Sequence, residues 1–263
     1  MITVLTATYN RAYTLARLYE SLERQTNKQF EWVVVDDGST DNSKALLDGF
    51  QQTATFPMRV VEQRNSGKHV AINTGVALAG REWIFLVDSD DALPPDAIEM
   101  FLSDVKDSTR ENSVGYCYRK ADLAGNMVGN VITAPRLAEP VSPTEAAALY
   151  QGDLAYIFRR EAMLKHPFPT FEGEKFVPEL LIWNRLSDEG SIQYFDHKII
   201  YLCEYLEDGY SANFAQNLRR NPRGFGVYYK HQIGREKSLT RKVKCLVRYV
   251  QCRVFGVLKG RKS

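Results

Sequence analysis

Three carboxylates fall within four residues at Asp88-Ser89-Asp90-Asp91, directly behind the apolar run Trp83–Val87. Carboxylates crowded at the end of a buried segment are costly unless a cation or hydrogen-bond donors neutralise them. Hard oxygen ligands of this kind suit Mg2+ or Mn2+, and Mg2+ in particular prefers one or two carboxylates together with substrate phosphates. A second acidic string, Asp36-Asp37-Gly38-Ser39-Thr40-Asp41, follows Trp32–Val35 in the same way. Its carboxylates suit hydrogen bonds from a nucleobase N–H or ribose hydroxyls, and Thr40 or Asp41 suits the cap of a following helix. A turn and a cap account for Thr40 and Asp41, but they leave Asp36 and Asp37 as adjacent like charges with no structural return. Further along, Gly67-Lys68-His69 places a glycine and a cation at a helix start, where backbone N–H groups can approach a diphosphate. A solvated lysine and a structural histidine are the plainer readings there.

The elements that carry these residues are legible from periodicity. Short apolar or β-branched runs at ITVLTAT, EWVVV, MRVVE and WIFLV suit strands buried on both faces. Between them Ala12–Gln25, Ser43–Gln52, Lys68–Ala79 and Pro95–Val105 are long enough for crossover helices. Strand and helix in alternation imply a parallel sheet with helices on both faces, and such sheets bind ligands beyond the carboxyl ends of their strands. Both acidic strings lie there. After about Asp107 the rhythm breaks into an α+β continuation, with strands at Val114–Arg119 and Leu154–Phe158, helices at Pro143–Leu149 and Lys175–Leu186, and a loop-rich stretch between Ala121 and Pro143.

Four blocks together carry a family resemblance: TATYNRA (Thr6–Ala12), VVVDDGSTD (Val33–Asp41), NSGKHVAINTG (Asn65–Gly75) and FLVDSDD (Phe85–Asp91). In this order and spacing the chain resembles glycosyltransferase family 2, inverting enzymes with the GT-A fold. The resemblance implies an α/β fold, a Rossmann-like, mostly parallel sheet flanked by helices, to which the periodicity of the last residues adds a C-terminal helical extension. It implies a nucleotide-sugar donor, most often a UDP-sugar, and a divalent cation, Mn2+ or Mg2+. Carried over, Thr8, Tyr9 and Arg11 border the nucleotide, Asp37 contacts the base, and Lys68 and Asn73 lie along the pocket. Asp88 meets the ribose or activated sugar, and Asp90 holds the metal that bridges the phosphates.

An inverting transfer also needs a general base for the acceptor hydroxyl. In the resembling family this is a downstream Asp or Glu, often an E-D pair heading a helix. Glu179 is the choice here, at the helix start Pro178-Glu179, where the dipole favours an ionised carboxylate. Leu180 follows it instead of Asp, and Glu174 is the second choice. A Glu179 that merely complements its helix is the structural alternative. Trp183 suits the core better than an acceptor wall, and Asp153 suits a turn as well as a sugar contact. The processive-synthase pattern Q-x-x-R-W is missing. Gln216-Asn217-Leu218-Arg219-Arg220 lacks its Trp, so addition of a single sugar is favoured; the resemblance implies as acceptor a hydroxyl of a glycan or lipid-linked saccharide in cell-surface polysaccharide synthesis. Arg219 and Arg220 are weak candidates for the diphosphate.

Charge is distributed unevenly over the 263 residues. Arg235–Ser263 holds ten Lys/Arg and one acid, a net +9, which leaves −7 on the remainder of a chain whose total is +2. Within this segment Leu239, Val243, Leu246, Val247, Val250, Val254, Val257 and Leu258 share one helical face. Arg241, Lys244, Arg248 and Lys259 project opposite, while Lys242 and Arg253 flank the stripe. A basic amphipathic helix of this kind suits the interface of an anionic membrane; packing on the domain is the alternative. We therefore divide the chain into a catalytic unit, 1–234, with a nucleotide-sugar half, 1–105, and an acceptor half, 106–234, followed by a basic tail, 235–263.

No signal peptide or membrane-spanning run is read, and the four cysteines lack C-x-x-C spacing. These features suit free thiols and a cytoplasmic protein, peripheral on the cytoplasmic face of the membrane. No nucleic-acid signature accompanies the basic tail. Two other function classes compete: a catalytically silent nucleotide-sugar scaffold docked to membrane, and a metal-dependent phosphotransferase with Asp88 as nucleophile. The second places Ala92 where the D-x-D-x-T pattern needs Thr, and it leaves DDGSTD and NSGKH without a role.

Overall fold

The computed structural model describes residues 1–108, 112–132, 141–204 and 213–260. In its first half, strands β1 (Ile2–Thr8), β2 (Phe30–Asp36), β3 (Met58–Glu62) and β4 (Trp83–Leu86) alternate with helices α1 (Ala12–Glu23), α2 (Ser43–Thr53) and α3 (Lys68–Leu78), and α4 (Ala97–Asp107) follows β4. Then come β5 (Ser113–Asp122), α5 (Pro143–Tyr150), β6 (Leu154–Arg159), α6 (Arg160–Lys165), α7 (Leu180–Leu186) and β7 (Ser191–Cys203). Helices α8 (Phe214–Arg220), α9 (Pro222–Arg235) and α10 (Leu239–Gly260) complete the described chain.

One seven-stranded sheet runs in the order β3-β2-β1-β4-β6-β5-β7. Strands β1 to β4 are mutually parallel, and β6 is antiparallel to both neighbours. The chain leaves β1 toward β2 on one side and returns to β4 on the other, which opens a crevice at the carboxyl ends of β1, β2 and β4.

Alternation along the strands divides the core. Ile2, Val4, Trp32 and Val34 pack on one face of the sheet with α1 and α4 residues such as Leu15, Leu18, Ile98 and Phe101. Leu5, Val33 and Val35 pack on the other with Ile72 and Val76 of α3 and Leu181 and Trp183 of α7. Helix α3 lies so close to β1 that a Cβ on Gly75 would collide with Leu5. The inner strands are buried on both faces as their sequences predict, but β3 is an edge strand and remains half exposed.

Several elements differ from expectation. The helix expected over Lys175–Leu186 starts only at Leu180; Lys175–Pro178 form no regular element, and Lys175, Phe176 and Pro178 line the cleft. Strand β7 and helices α8 and α9 carried no assignment from sequence. Part of the loop-rich stretch, residues 133–140, lies outside the described residues. All four cysteines are buried, and none forms a disulfide.

Helix α10 packs on α9 through Cys245 and Cys252, with Tyr249 and Phe255 beside them. The eight-residue apolar stripe is therefore on the opposite side, facing away from the protein. Three of the four cations expected opposite the stripe, although exposed, make contacts on the packed side. Arg248 lies over the Phe214 ring at 5.3 Å, Arg241 approaches Glu236, and the Lys259 ammonium donates to the carbonyls of Gly173 and Arg220 at 2.9 and 2.8 Å.

Candidate active site

At the crevice lies an open cleft of about 1060 Å³. Of the nine residues singled out from sequence, Thr8, Tyr9, Arg11, Asp37, Lys68, Asp88, Asp90 and Glu179 line it. Asn73 does not: its side-chain amide donates to the Phe168 carbonyl and accepts from the Phe168 N–H, both at 2.9 Å, and so ties α3 to the segment after α6.

The first two acidic residues turn out to have structural partners. Asp36 Oδ1 accepts from the Ser39 N–H at 2.9 Å and shapes the turn after β2. Asp37 Oδ1 accepts from Gln63 Nε2 and the Ser66 N–H at 2.7 and 2.8 Å, and its Oδ2 accepts from the Gly67 N–H at 2.7 Å. The reading of this pair as like charges without structural return is thus wrong: each organises a loop, and Asp37 does so while facing the cleft. The Gly67 N–H is consequently committed to Asp37 rather than turned toward a phosphate. Glycine is needed there for another reason. Its φ is +101°, and a Cβ would collide with the Lys175 carbonyl, so the absent side chain lets the segment carrying Glu179 close onto α3.

Asp88, Asp90 and Asp91 emerge after β4, with ligand atoms of all three within 4.8 Å of one another. Their loop is fixed from outside. Ala92 and Leu202 of β7 exchange two backbone hydrogen bonds of 2.9 Å, and Arg17 of α1 donates to the Asp90 carbonyl while pairing with Glu204. Buried Tyr201 donates its hydroxyl proton to Asp91 Oδ2 at 2.6 Å, and its oxygen accepts from the Asp88 N–H at 2.9 Å.

The electrostatics separate the three carboxyls. Burial works against ionisation of Asp88, but Lys68 and then Lys120 outweigh it and hold its carboxyl below the ordinary range. Burial and the Asp88 charge push Asp90 up, and the same two causes push Asp91 up to about 7. A cluster that resists full ionisation is one that a divalent cation would neutralise, so the donor set fits Mg2+ or Mn2+.

Across the cleft Lys68 Nζ bridges two carboxylates, 2.6 Å from Asp88 Oδ1 and 2.8 Å from Glu179 Oε1. Burial alone would lower the Lys68 pKa, but Asp88 and then Glu179 raise it well above its ordinary value. Glu179 occupies the N-cap position of α7 without making a side-chain cap. Its carboxylate points into the cleft instead. Glu174 is spent elsewhere: it is buried, and it accepts from the N–H groups of Arg223 and Gly224 at 2.9–3.0 Å, capping the start of α9.

Asp153 and Arg220 line the cleft, whereas Arg219 lies over the Phe255 ring. Trp183 is core. Two residues carried no signal in the sequence. Lys120 enters the cleft from β5 with its ammonium 3.7 Å from the Tyr201 ring centre, and Tyr201 sits beneath the acidic loop. The aromatic and β-branched run in Lys198–Cys203 marks β7, but only the sheet order shows that it reaches Asp91.

Residues 3–153 match the sequence model of glycosyl transferase family 2. The chain belongs to that family. Among curated relatives, it is 29% identical over 212 residues to the glycosyltransferase GlyG of Streptococcus pneumoniae, covering 78% of this chain and 69% of GlyG. It spans about half or less of the length of other curated relatives it matches. The solved structure of residues 1–349 of Staphylococcus aureus TarS with UDP-GlcNAc superposes with a TM-score of 0.72 at 17% identity, covering 95% of this chain and 72% of that one. A mannosyltransferase from Pyrobaculum calidifontis, in complex with GDP-Man and Mn2+, gives 0.62 at 17% identity over 100% of this chain and 75% of that one. The family 2 sheet described above is accordingly of the GT-A type. No helix among the described residues is long and apolar enough to cross a membrane.

Proposed function

We propose that the chain transfers one sugar, with inversion, from a UDP-sugar to a hydroxyl of a glycan or lipid-linked saccharide in cell-surface polysaccharide synthesis. The observation that carries this reading is the opposition of two groups across one cleft: the Asp88-Asp90-Asp91 cluster at the end of β4, and Glu179 on the facing segment, joined by Lys68. Neighbours of the same fold were solved with UDP-GlcNAc, and with GDP-Man and Mn2+.

In this reading Thr8, Tyr9, Arg11 and Asp37 border the nucleoside, and Asp88 holds the ribose or sugar. Asp90 is the principal ligand of Mn2+ or Mg2+, with Asp91 and Asp88 adjacent. The cation, when bound, supplies positive charge to the departing diphosphate. Glu179 accepts the acceptor hydroxyl proton as that oxygen bonds to the anomeric carbon. The bond from that carbon to phosphate breaks, and its electron pair leaves with the nucleoside diphosphate. A single displacement from the face opposite the leaving group inverts the anomeric centre. Lys68, 2.8 Å from Glu179 Oε1, holds that carboxylate in place before the substrates enter.

Residues 1–234 form the catalytic unit, divided near 105 into donor and acceptor halves. The basic segment 235–263 carries it to the cytoplasmic face of an anionic membrane. The test is release of UDP from a panel of UDP-sugars with Mn2+, in the native chain and in Asp90→Ala. Release that is abolished by the substitution and by chelator supports the reading; release unchanged in both contradicts it.

A further inference from the structure

The outward face of α10 carries eight of the large apolar side chains that stay exposed among the described residues. Leu239, Val243, Leu246, Val247, Val250, Val254, Val257 and Leu258 are all at least half exposed, from 50% at Leu246 to 76% at Leu239. They form one continuous band along a 22-residue helix whose other face is already packed on α9. A soluble monomer rarely exposes so large a contiguous apolar surface without an occupant. Because the inner face supplies all the packing that holds α10 to the protein, the band is free of any structural duty toward the fold.

The charges identify the occupant. Helix α10 contains six lysines and arginines and no acidic residue. Lys242 and Arg253 border the band on one side, and Lys244 adjoins it beside Val243 and Val247 on the other. If a second copy packed here, the two basic rims would meet with no acidic partner on either helix. An anionic lipid surface has the opposite chemistry: acyl chains accept the valine and leucine side chains while headgroup phosphates pair with the rim. The helix is also not apolar enough to cross the bilayer, so it would lie in the plane of the interface.

We infer that α10 docks the protein on an anionic bilayer through this face, lying parallel to the surface. The inference rests on the membrane placement above and specifies the surface that achieves it. It does not depend on the catalytic assignment.

Vesicles of phosphatidylcholine, and of phosphatidylcholine with phosphatidylglycerol in a three-to-one ratio, provide the probe. The full chain should cosediment with the anionic vesicles, far less with the neutral ones, and less again at high salt. The double variant Val250→Glu/Val254→Glu should lose at least about tenfold in vesicle affinity, since two charges replace apolar groups that enter the acyl boundary. Both positions are exposed, so the melting temperature and the rate of UDP release from donor should be unchanged. Lys242→Gln/Arg253→Gln should weaken binding to anionic vesicles alone. The inference is overturned if the native chain ignores both vesicle types, if the valine variant binds as tightly as the native chain, or if the native chain is a dimer that this variant dissociates. Vesicle binding without UDP release would remove the proposed enzymatic function and leave the docking intact; UDP release without vesicle binding would do the reverse.

Discussion

Lys68 Nζ lies 2.8 Å from Glu179 Oε1 and 2.6 Å from Asp88 Oδ1, so one ammonium from the start of α3 links the acidic loop after β4 to the segment heading α7. The pairing is partly shielded from water, and both carboxylates lie on the cleft wall. It makes Lys68 the hub of the site. Lys68→Met removes the largest influence holding the Asp88 carboxyl down. Donor affinity measured by titration with Mn2+ should fall by about tenfold, equivalent to about 1.4 kcal/mol, with a further loss in turnover. Unchanged affinity would show that the bridge plays no part in donor binding.

The acidic cluster sets a pH signature. The Asp91 carboxyl titrates at about 7 in the folded protein, against an ordinary value of 3.8, because burial and Asp88 disfavour its charge. Between those values the folded state binds more protons than the unfolded chain, so this group removes stability as pH rises through the window. A divalent cation binds the ionised form and counteracts the loss. Mn2+ should therefore raise the melting temperature more at about pH 8 than at about pH 5. A rise equal at both, or none at either, contradicts the metal assignment.

Tyr201→Phe tests the support beneath that cluster. It deletes a donor to Asp91 and an acceptor for the Asp88 N–H while preserving the buried ring. Loss of such an outer partner typically costs about 10–100-fold in metal affinity. Mn2+ titration followed by the melting temperature should show that weakening, and a native titration curve would contradict it.

Glu174 and Glu179 are five residues apart and have opposite fates. Glu174→Ala strips the cap from α9 and leaves the N–H groups of Arg223 and Gly224 without their carboxylate, the latter buried, which should cost about 1–3 kcal/mol in chemical denaturation. Turnover per folded molecule should change little. A fall in turnover far beyond the loss of folded protein would make Glu174 the base after all.

What the sequence made legible was the half of the molecule in which local pattern and function coincide. Strands β1 to β4 read directly from their apolar runs. Asp88 to Asp91 followed because three carboxylates at the end of a buried strand must be neutralised, and their hard oxygens suit a divalent cation. Long-range partners were not legible. Asp37 gives no local sign that it will accept from Ser66 and Gly67, nor does Gly67 that the Lys175 carbonyl will occupy its missing Cβ. Asn73 read as a pocket residue because it shares a block with Lys68, yet five residues of helix turn it toward Phe168. Periodicity found the stripe on α10 but could not tell which face would pack. That was decided by Cys245, Cys252 and the rings beside them.

The central claim is that Glu179 removes the acceptor proton while the facing carboxylates hold the donor. Its most direct test is Glu179→Gln, assayed for UDP-sugar binding and for UDP release in the same Mn2+ buffer. The substitution keeps the side chain's shape and removes its basicity. Donor binding should stay within about threefold of native, because the proposed donor contacts are on the other wall, while UDP release should fall by about 10²–10⁴-fold, the range for loss of a positioned base. Release at the native rate with binding intact would contradict the account.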